Sequence, residues 1–377
     1  MKRILFLAHV DINKRSGGGL ATLAFYNAIK SIYGTQVDLM MPAESTYENA
    51  GTIIKVPARS RIQAFLSASP HRYKGFLDRY LREKSEDYDI CVLNGGIYAG
   101  NMVDMIHRYG LKVIVIHHNF DREYYMGNKV PITLNGRTGK IVEYFEKKAY
   151  TKADVNCFLT NQDQKLFEHY YGKKNTASFV IQVFEPNSVK VEEPSEKIKN
   201  KIVVCGSLST TQTISGINDL KEHYYGIVRE LCPQWDLVLA GRKPKKEVYD
   251  FQQVDPDYIK IIPNPVDMGA VTRDASIFLC PTNVGGGLKL RVMDGLRQGL
   301  PILVHSVSAR GYDSFFQKPY FKIYNNQHSF YNGLSSLLEY CKNDINRSQI
   351  QKEYFEIFSF EAGRGRMKRV IESCITN

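Results

Sequence analysis

Short apolar runs alternate with amphipathic stretches along almost the whole chain, and this alternation restricts the fold more than any other feature. The runs fall at 3–8, 36–41, 52–56, 89–93, 112–117 and 155–160, then at 201–205, 236–240, 259–262, 276–280, 301–304 and 320–324. Helical spacing fits 20–33, 72–86, 100–109 and 138–151, then 213–231, 245–253, 266–273, 288–298 and 328–342. A strand apolar at successive positions is buried on both faces, the condition of a parallel sheet covered by its own crossover helices. The pattern therefore predicts an α/β protein. Periodicity is lost over Phe184–Glu196, where prolines and charges accumulate. At 377 residues the chain exceeds one ordinary core. Two Rossmann-like halves across a cleft are expected, 1–185 and 186–359, with ligands at the carboxyl ends of the strands. The tail 360–377 has apolar positions at helical spacing and is expected to cross back and join the first half.

The most informative local stretch is Gly285-Gly286-Gly287-Leu288-Lys289-Leu290-Arg291, with Asp294 three residues further on. It follows an apolar run and precedes a helical pattern, so bare N–H groups and a helix start meet at one place, which suits a phosphate. Lys289 and Arg291 supply cations there, and Asp294 could hold a pair of ribose hydroxyls. The competing reading is a plain strand–helix turn, with Lys289 solvated, Arg291 on another face and Asp294 an exposed helix acid. Arg242, next to Lys243, Lys245 and Lys246, is a further diphosphate candidate or a surface cation. Ser16-Gly17-Gly18-Gly19 could bring backbone to a ligand in the first half. His117 and His118 end one strand and point to opposite sides, so one is structural; His118 is preferred as the ligand-facing member.

Several classes fall away. No GxGxxG follows the first strand, and Leu39-Met40-Met41-Pro42 puts no acid where a dinucleotide ribose would need one. Seven scattered cysteines without a CxxC pair argue for a reducing compartment and against a disulfide framework or zinc site. The opening apolar run is too short for a signal peptide, so the protein reads as cytoplasmic, or peripheral on the inner face of a membrane. Net charge is +11, densest between Lys55 and Lys84. Cations are interspersed with acids and no recognised module is present, which sets nucleic acid aside. Within the basic stretch Arg59, Arg61, Phe65, Arg72 and Lys74 mix cations with an apolar anchor, a combination suited to an anionic membrane or simply to a solvated helix.

The ordered motifs resemble the GT-B glycosyltransferases, specifically the large retaining family rich in bacterial polysaccharide-assembly enzymes. In the first half the resemblance rests on Ser16–Gly19, on Val113–Tyr124 with its His117-His118-Asn119, and on Glu143–Ala149 leading to Ala153-Asp154 and Thr160. In the second it rests on Val203–Leu208, on Trp235-Asp236-Leu237-Val238-Leu239-Ala240-Gly241-Arg242, on the glycine run, and on Gly299-Leu300-Pro301. It implies transfer of a sugar from a nucleoside diphosphate sugar to a hydroxyl of a glycan or lipid-linked acceptor, with retention and without a metal or other cofactor. The donor would meet Gly206, Ser207, Arg242, Gly285, Gly286, Gly287, Leu288, Lys289, Arg291 and Asp294. Gly17, Gly18, Gly19, His117 and Glu123 would line the acceptor and diphosphate loop, with His118, Lys289 and Arg242 catalytic. Two departures stand out. The family's two donor-site glutamates fall on Gly286 and Asp294, and no cation lies between Ser207 and Gly216. They leave open a catalytically inactive GT-B subunit, or a sugar-nucleotide epimerase on the same fold.

Overall fold

The computed structural model describes residues 3–9, 11–12, 16–49, 51–57, 73–126, 137–190, 193, 198–342 and 346–376. It divides into two compact units. The first comprises Met1–Val189, Gly286–Leu288 and Phe358–Asn377; the second comprises Lys190–Gly285 and Lys289–Ile357.

The first unit is built on seven parallel strands: β1 (Arg3–Ala8), β2 (Val37–Pro42), β3 (Ile53–Val56), β4 (Tyr88–Asn94), β5 (Lys112–His117), β6 (Val155–Phe158) and β7 (Ala177–Val180). Their order is β3-β2-β1-β4-β5-β6-β7. The inner strands are apolar on both faces because both faces are covered. Leu5, Leu7, Cys91, Leu93, Val113 and Val115 pack with Leu77 and Leu81 of the helix Tyr73–Lys84. Burying each such leucine contributes about 1.5–3 kcal/mol. The helix Gly17–Tyr33 is started by Ser16, whose hydroxyl accepts from the Gly19 N–H at 3.2 Å. The last helix, Phe360–Thr376, packs against it, and Arg366 donates to the Ile181 carbonyl at 2.7 Å.

The second unit repeats the plan with six parallel strands: β8 (Lys201–Ser207), β9 (Asp236–Arg242), β10 (Ile259–Pro263), β11 (Ile277–Cys280), β12 (Ile302–His305) and β13 (Phe321–Tyr324). The order is β10-β9-β8-β11-β12-β13. Its core gathers Ile202, Val204, Leu237, Leu239, Ile277 and Leu279 with helical residues such as Ile217, Val228 and Leu334. The long amphipathic stretch expected over 213–231 is interrupted by a π turn at Leu220–Tyr224, which lays Tyr224 against Phe330 at 4.7 Å between ring centres.

In each sheet the chain turns back from the first strand of the unit to the other side of the sheet. The switch points lie between β1 and β4 and between β8 and β11, where the loops separate and leave a crevice at the carboxyl ends. Among the described residues no helix is long and apolar enough to cross a membrane.

Candidate functional site

In the second unit β8 and β9 run side by side with Gly206 opposite Gly241 and Ser207 opposite Arg242. A Cβ at Gly241 would overlap the Gly206 carbonyl, so only glycine lets the two backbones pass this close. Beneath Gly206 lies the guanidinium of Arg291, whose Cζ would stand 3.1 Å from an added Cβ. Arg291 reaches there from the helix Leu290–Arg297 and is held by Thr282 and Thr213, each hydroxyl accepting at 3.0 Å. The cation absent from the loop after β8 is thus supplied beside Gly206 from the far side of the switch point.

Lys289 precedes that helix and is 8 % exposed. Its Nζ folds back beside Gly285, 3.1 Å from where a Cβ would be, next to the Gln212 amide. Tyr312 donates to its carbonyl at 2.8 Å. Asp294 is half-exposed and accepts from Arg297 at 3.2 Å. Burial and then the Asp294 carboxylate push the Cys205 thiol at the end of β8 upward, which places Asp294 near that strand's end. Arg242 is exposed at the end of β9, in register with Ser207. Gln212, Thr213 and Thr282 were not singled out from the sequence, since hydroxyl and amide residues in a loop carry no spacing signal.

Among the described residues, the first unit's switch point gathers neutral side chains. Asn94, last residue of β4, donates to the Thr22 hydroxyl at 2.6 Å, and Thr22 donates to the Gly18 carbonyl at 2.7 Å. The Asn94 carbonyl oxygen faces His118 Nε2 at 2.6 Å, so that nitrogen carries the proton and Nδ1 the lone pair. Burial, then His9 and His117, push His118 down to about 3, so the ring is uncharged at neutral pH. His118 is thereby tied to the glycine-rich helix start. Gly17 is exposed there, Gly18 half-buried in open space and Gly19 buried.

Gly286–Leu288 packs within this unit. In the orientation that satisfies its amide, Asn119 donates to the Gly286 carbonyl at 3.2 Å and to the His118 carbonyl at 3.0 Å. Gly287 has φ +67°, and a Cβ there would stand 2.5 Å from the His118 carbonyl oxygen, so no other residue fits. Gly286 and Gly287 are engaged with His118 and Asn119, and Gly285 is the member beside Lys289.

His117 is a correction. Its ring is fully buried, bonded to Asn156 at 2.9 Å and packed on Phe158 and Phe167 at 5.2 and 4.5 Å. It belongs to the core and reaches no ligand. Glu123 is exposed on the helix Asp121–Met126. The sequence reading passed over the acids behind that helix. Glu146, fully buried, accepts from the Arg122 N–H at 3.2 Å and the Tyr171 hydroxyl at 2.8 Å. Burial and then Asp121 push Glu146 up to about 8, and burial pushes Asp121 up to about 7. Glu146 lies in the run Glu143–Ala149, where a second glutamate and two lysines give no sign of which acid is buried. Arg59, Arg61, Phe65 and Arg72 lie outside the described residues; Lys74 is exposed on Tyr73–Lys84.

No protein-family model matches this sequence, and no curated protein matches it. Solved structures do match its fold. HepE of Anabaena, crystallised with UDP, aligns with TM-score 0.68 at 12% identity over 98% of this chain and 100% of its own. TarM aligns with TM-score 0.69 at 12% identity over 99% of both chains. The lipopolysaccharide outer core galactosyltransferase WaaB gives 0.69 at 11% identity over 98% of this chain and 99% of its own. Such low identities speak to architecture alone. Two Rossmann-ordered parallel sheets, a last helix packed on the first, and alignment over nearly the full length together give this chain the GT-B fold.

Proposed function

We propose that this chain is a glycosyltransferase that moves a hexosyl group from a nucleoside diphosphate sugar to a hydroxyl of a glycan or lipid-linked acceptor. The observation that carries the reading is the gathering of Lys289 and Arg291 at glycine backbone beside the β8–β11 switch point. A departing diphosphate concentrates negative charge, and fixed cations in a partly dry site stabilise it where it develops. In this reading Asp294 takes ribose hydroxyls by exchanging its bond to Arg297, and Arg242, in register with Ser207, serves as a further phosphate contact. The fold match adds support, since HepE has been crystallised with UDP and with UDP-glucose.

The acceptor belongs to the first unit, where neutral His118 offers Nδ1 as a hydrogen-bond acceptor to a sugar hydroxyl. Retention at the anomeric carbon, independence of metal, and a place in cell-surface polysaccharide assembly complete the proposal. The basic stretch around Lys74 would hold the protein to an anionic cytoplasmic membrane surface, close to a lipid-linked acceptor. Calorimetry with UDP in the presence of EDTA tests the donor site. Arg291→Ala and Lys289→Ala should each weaken binding about 10- to 100-fold, as expected for a lost charge-assisted bond. Unchanged affinity in both variants overturns it.

The Asp294–Arg297 pair and Gly286 at a glutamate position favour one alternative, a subunit that binds nucleotide without turning it over. Tight UDP binding with no release of UDP from any sugar nucleotide, with or without acceptor, would select it. Turnover of the sugar nucleotide with no acceptor and no UDP release would select an epimerase.

A further inference from the structure

Within the second unit Arg291 is gripped from several directions at once. A Cβ added at Gly206 would stand 3.1 Å from its Cζ and 3.3 Å from each terminal nitrogen. Distances so nearly equal put that point over the flat face of the group, so the guanidinium lies face-on against the Gly206 backbone. Gly206 has φ +142°, and no side chain fits between it and Arg291. The edge of the plane is fixed as well. One terminal nitrogen donates to the Thr282 hydroxyl and the other to the Thr213 hydroxyl, both at 3.0 Å. A planar fork held by its face and two corners keeps one orientation.

The two threonines come from opposite sides of the switch point. Thr213 lies in the first turn of the helix Thr211–Asp219 after β8, and Thr282 in the segment after β11. Gly216, one turn beyond Thr213, lets these segments meet. A Cβ there would stand 2.5 Å from the Pro281 carbonyl oxygen and 2.9 Å from Thr282 Cα. A larger residue would push the helix, and Thr213 with it, away from Thr282. Both threonines are 1 % exposed, whereas Arg291 is half-buried. Thr213 Oγ1 also lies 2.8 Å from Oγ1 of Thr210, the helix cap. A guanidinium only donates, so Thr213 accepts from Arg291 and keeps its own proton for Thr210.

A long cationic side chain loses rotamer freedom when it grips an anion; one already clamped has lost it on folding. We propose that Thr213 and Thr282 are positioning residues that preset Arg291, so that an anion at this site meets a guanidinium already oriented. The inference rests on the donor-site reading for what the anion is, a nucleoside diphosphate, but not for the clamp. Both threonines act through Arg291, and neither is assigned a ligand contact.

The test titrates UDP by calorimetry into the full chain with EDTA present. Thr213→Val with Thr282→Val nearly keeps both shapes and removes both hydroxyls. It should weaken UDP binding about tenfold. The same pair in an Arg291→Ala background should change affinity less than about twofold, because residues that act through one group do not add. Thr213→Ser with Thr282→Ser restores the hydroxyls and should keep affinity within about threefold of wild type, which separates the clamp from a folding defect in the valine variant. Phenylglyoxal, which adds to released guanidinium groups, gives a readout that needs no nucleotide. By mass spectrometry Arg291 should be modified about tenfold faster in the valine variant than in wild type. Unchanged UDP affinity in the valine variant, or an equal loss in the Arg291→Ala background, overturns the proposal. Should wild type bind no UDP, the donor-site reading falls and the modification rate alone decides the clamp: a rise upholds it, and an unchanged rate overturns it.

Discussion

The two units lay out their sheets in the same order from the first strand outward, yet their switch points carry opposite chemistry. In the second, the loops after β8 and β11 collect Lys289 and Arg291 against glycine backbone, with Arg242 alongside. In the first, the ends of β1 and β5 present His9 and His118, pushed down to about 4 and about 3, with Asn94 at the end of β4 bonded to His118. Topology sets where a ligand can go; charge sets which ligand. Under the proposed reading, one crevice would take a diphosphate and the other uncharged hydroxyls.

The comparison breaks first at the cations. Replacing Lys289 and Arg291 together by methionine should reduce UDP affinity at least 100-fold by calorimetry, while the double change His9→Phe with His118→Phe should leave it within about twofold. Comparable losses from both pairs would erase the distinction between the units. Next comes backbone closeness. Gly241→Ala should destabilise the second unit by about 3 kcal/mol in urea unfolding, because its Cβ overlaps the Gly206 carbonyl, and Gly18→Ala at the open start of the helix Gly17–Tyr33 should cost under about 0.5 kcal/mol.

A pH effect sharpens the contrast further, since it belongs to the first unit alone. Folding raises Glu146 from 4.5 to about 8, so the folded state holds a proton that the unfolded chain gives up. Its contribution is full below pH 4.5 and is lost as pH rises toward 8. Glu146→Gln should therefore flatten that decline, gaining about 2 kcal/mol over wild type at pH 8 and little at pH 5, as read from urea midpoints across pH. The smallest expected effect is shared. Ser16 and Thr210 cap the helices that follow β1 and β8, and Ser16→Ala or Thr210→Ala should each cost about 1 kcal/mol.

Much of the architecture was readable because a parallel strand buried on both sides must be apolar throughout. The runs 3–8, 112–117 and 201–205 need no partner information to be recognised. The edge strand β7 escaped notice: Ala177–Val180 is only half-buried at every position, so nothing forces an apolar run. The helices Asn161–Tyr171 and Arg347–Phe358 were also passed over. For the first, Thr160 as cap and Gly172 just beyond its end were visible signals.

The site was less legible. Lys289 and Arg291 announced themselves beside the glycines, but the direction of Arg291 depends on Thr213 and Thr282, far from it in the chain. Asn94, His9 and His118 meet only because β1, β4 and β5 end side by side. Alternation placed His117 and His118 on opposite faces; which face held the aromatic cluster of Phe158 and Phe167 is a tertiary fact.

The helix Phe360–Thr376, packed on Gly17–Tyr33, bears on how the polypeptide matures during synthesis. The N-terminal sheet lacks one of its covers until nearly two hundred further residues have left the ribosome, a delay of about 10–40 s at usual translation speeds. During that interval the side of Gly17–Tyr33 that takes the last helix stays uncovered. The second unit, continuous from Lys190 apart from Gly286–Leu288, has no such wait. Nascent chains stalled before residue 358 should therefore be protease-sensitive in the earlier-made half and resistant in the later one, reversing the usual order of folding along a message.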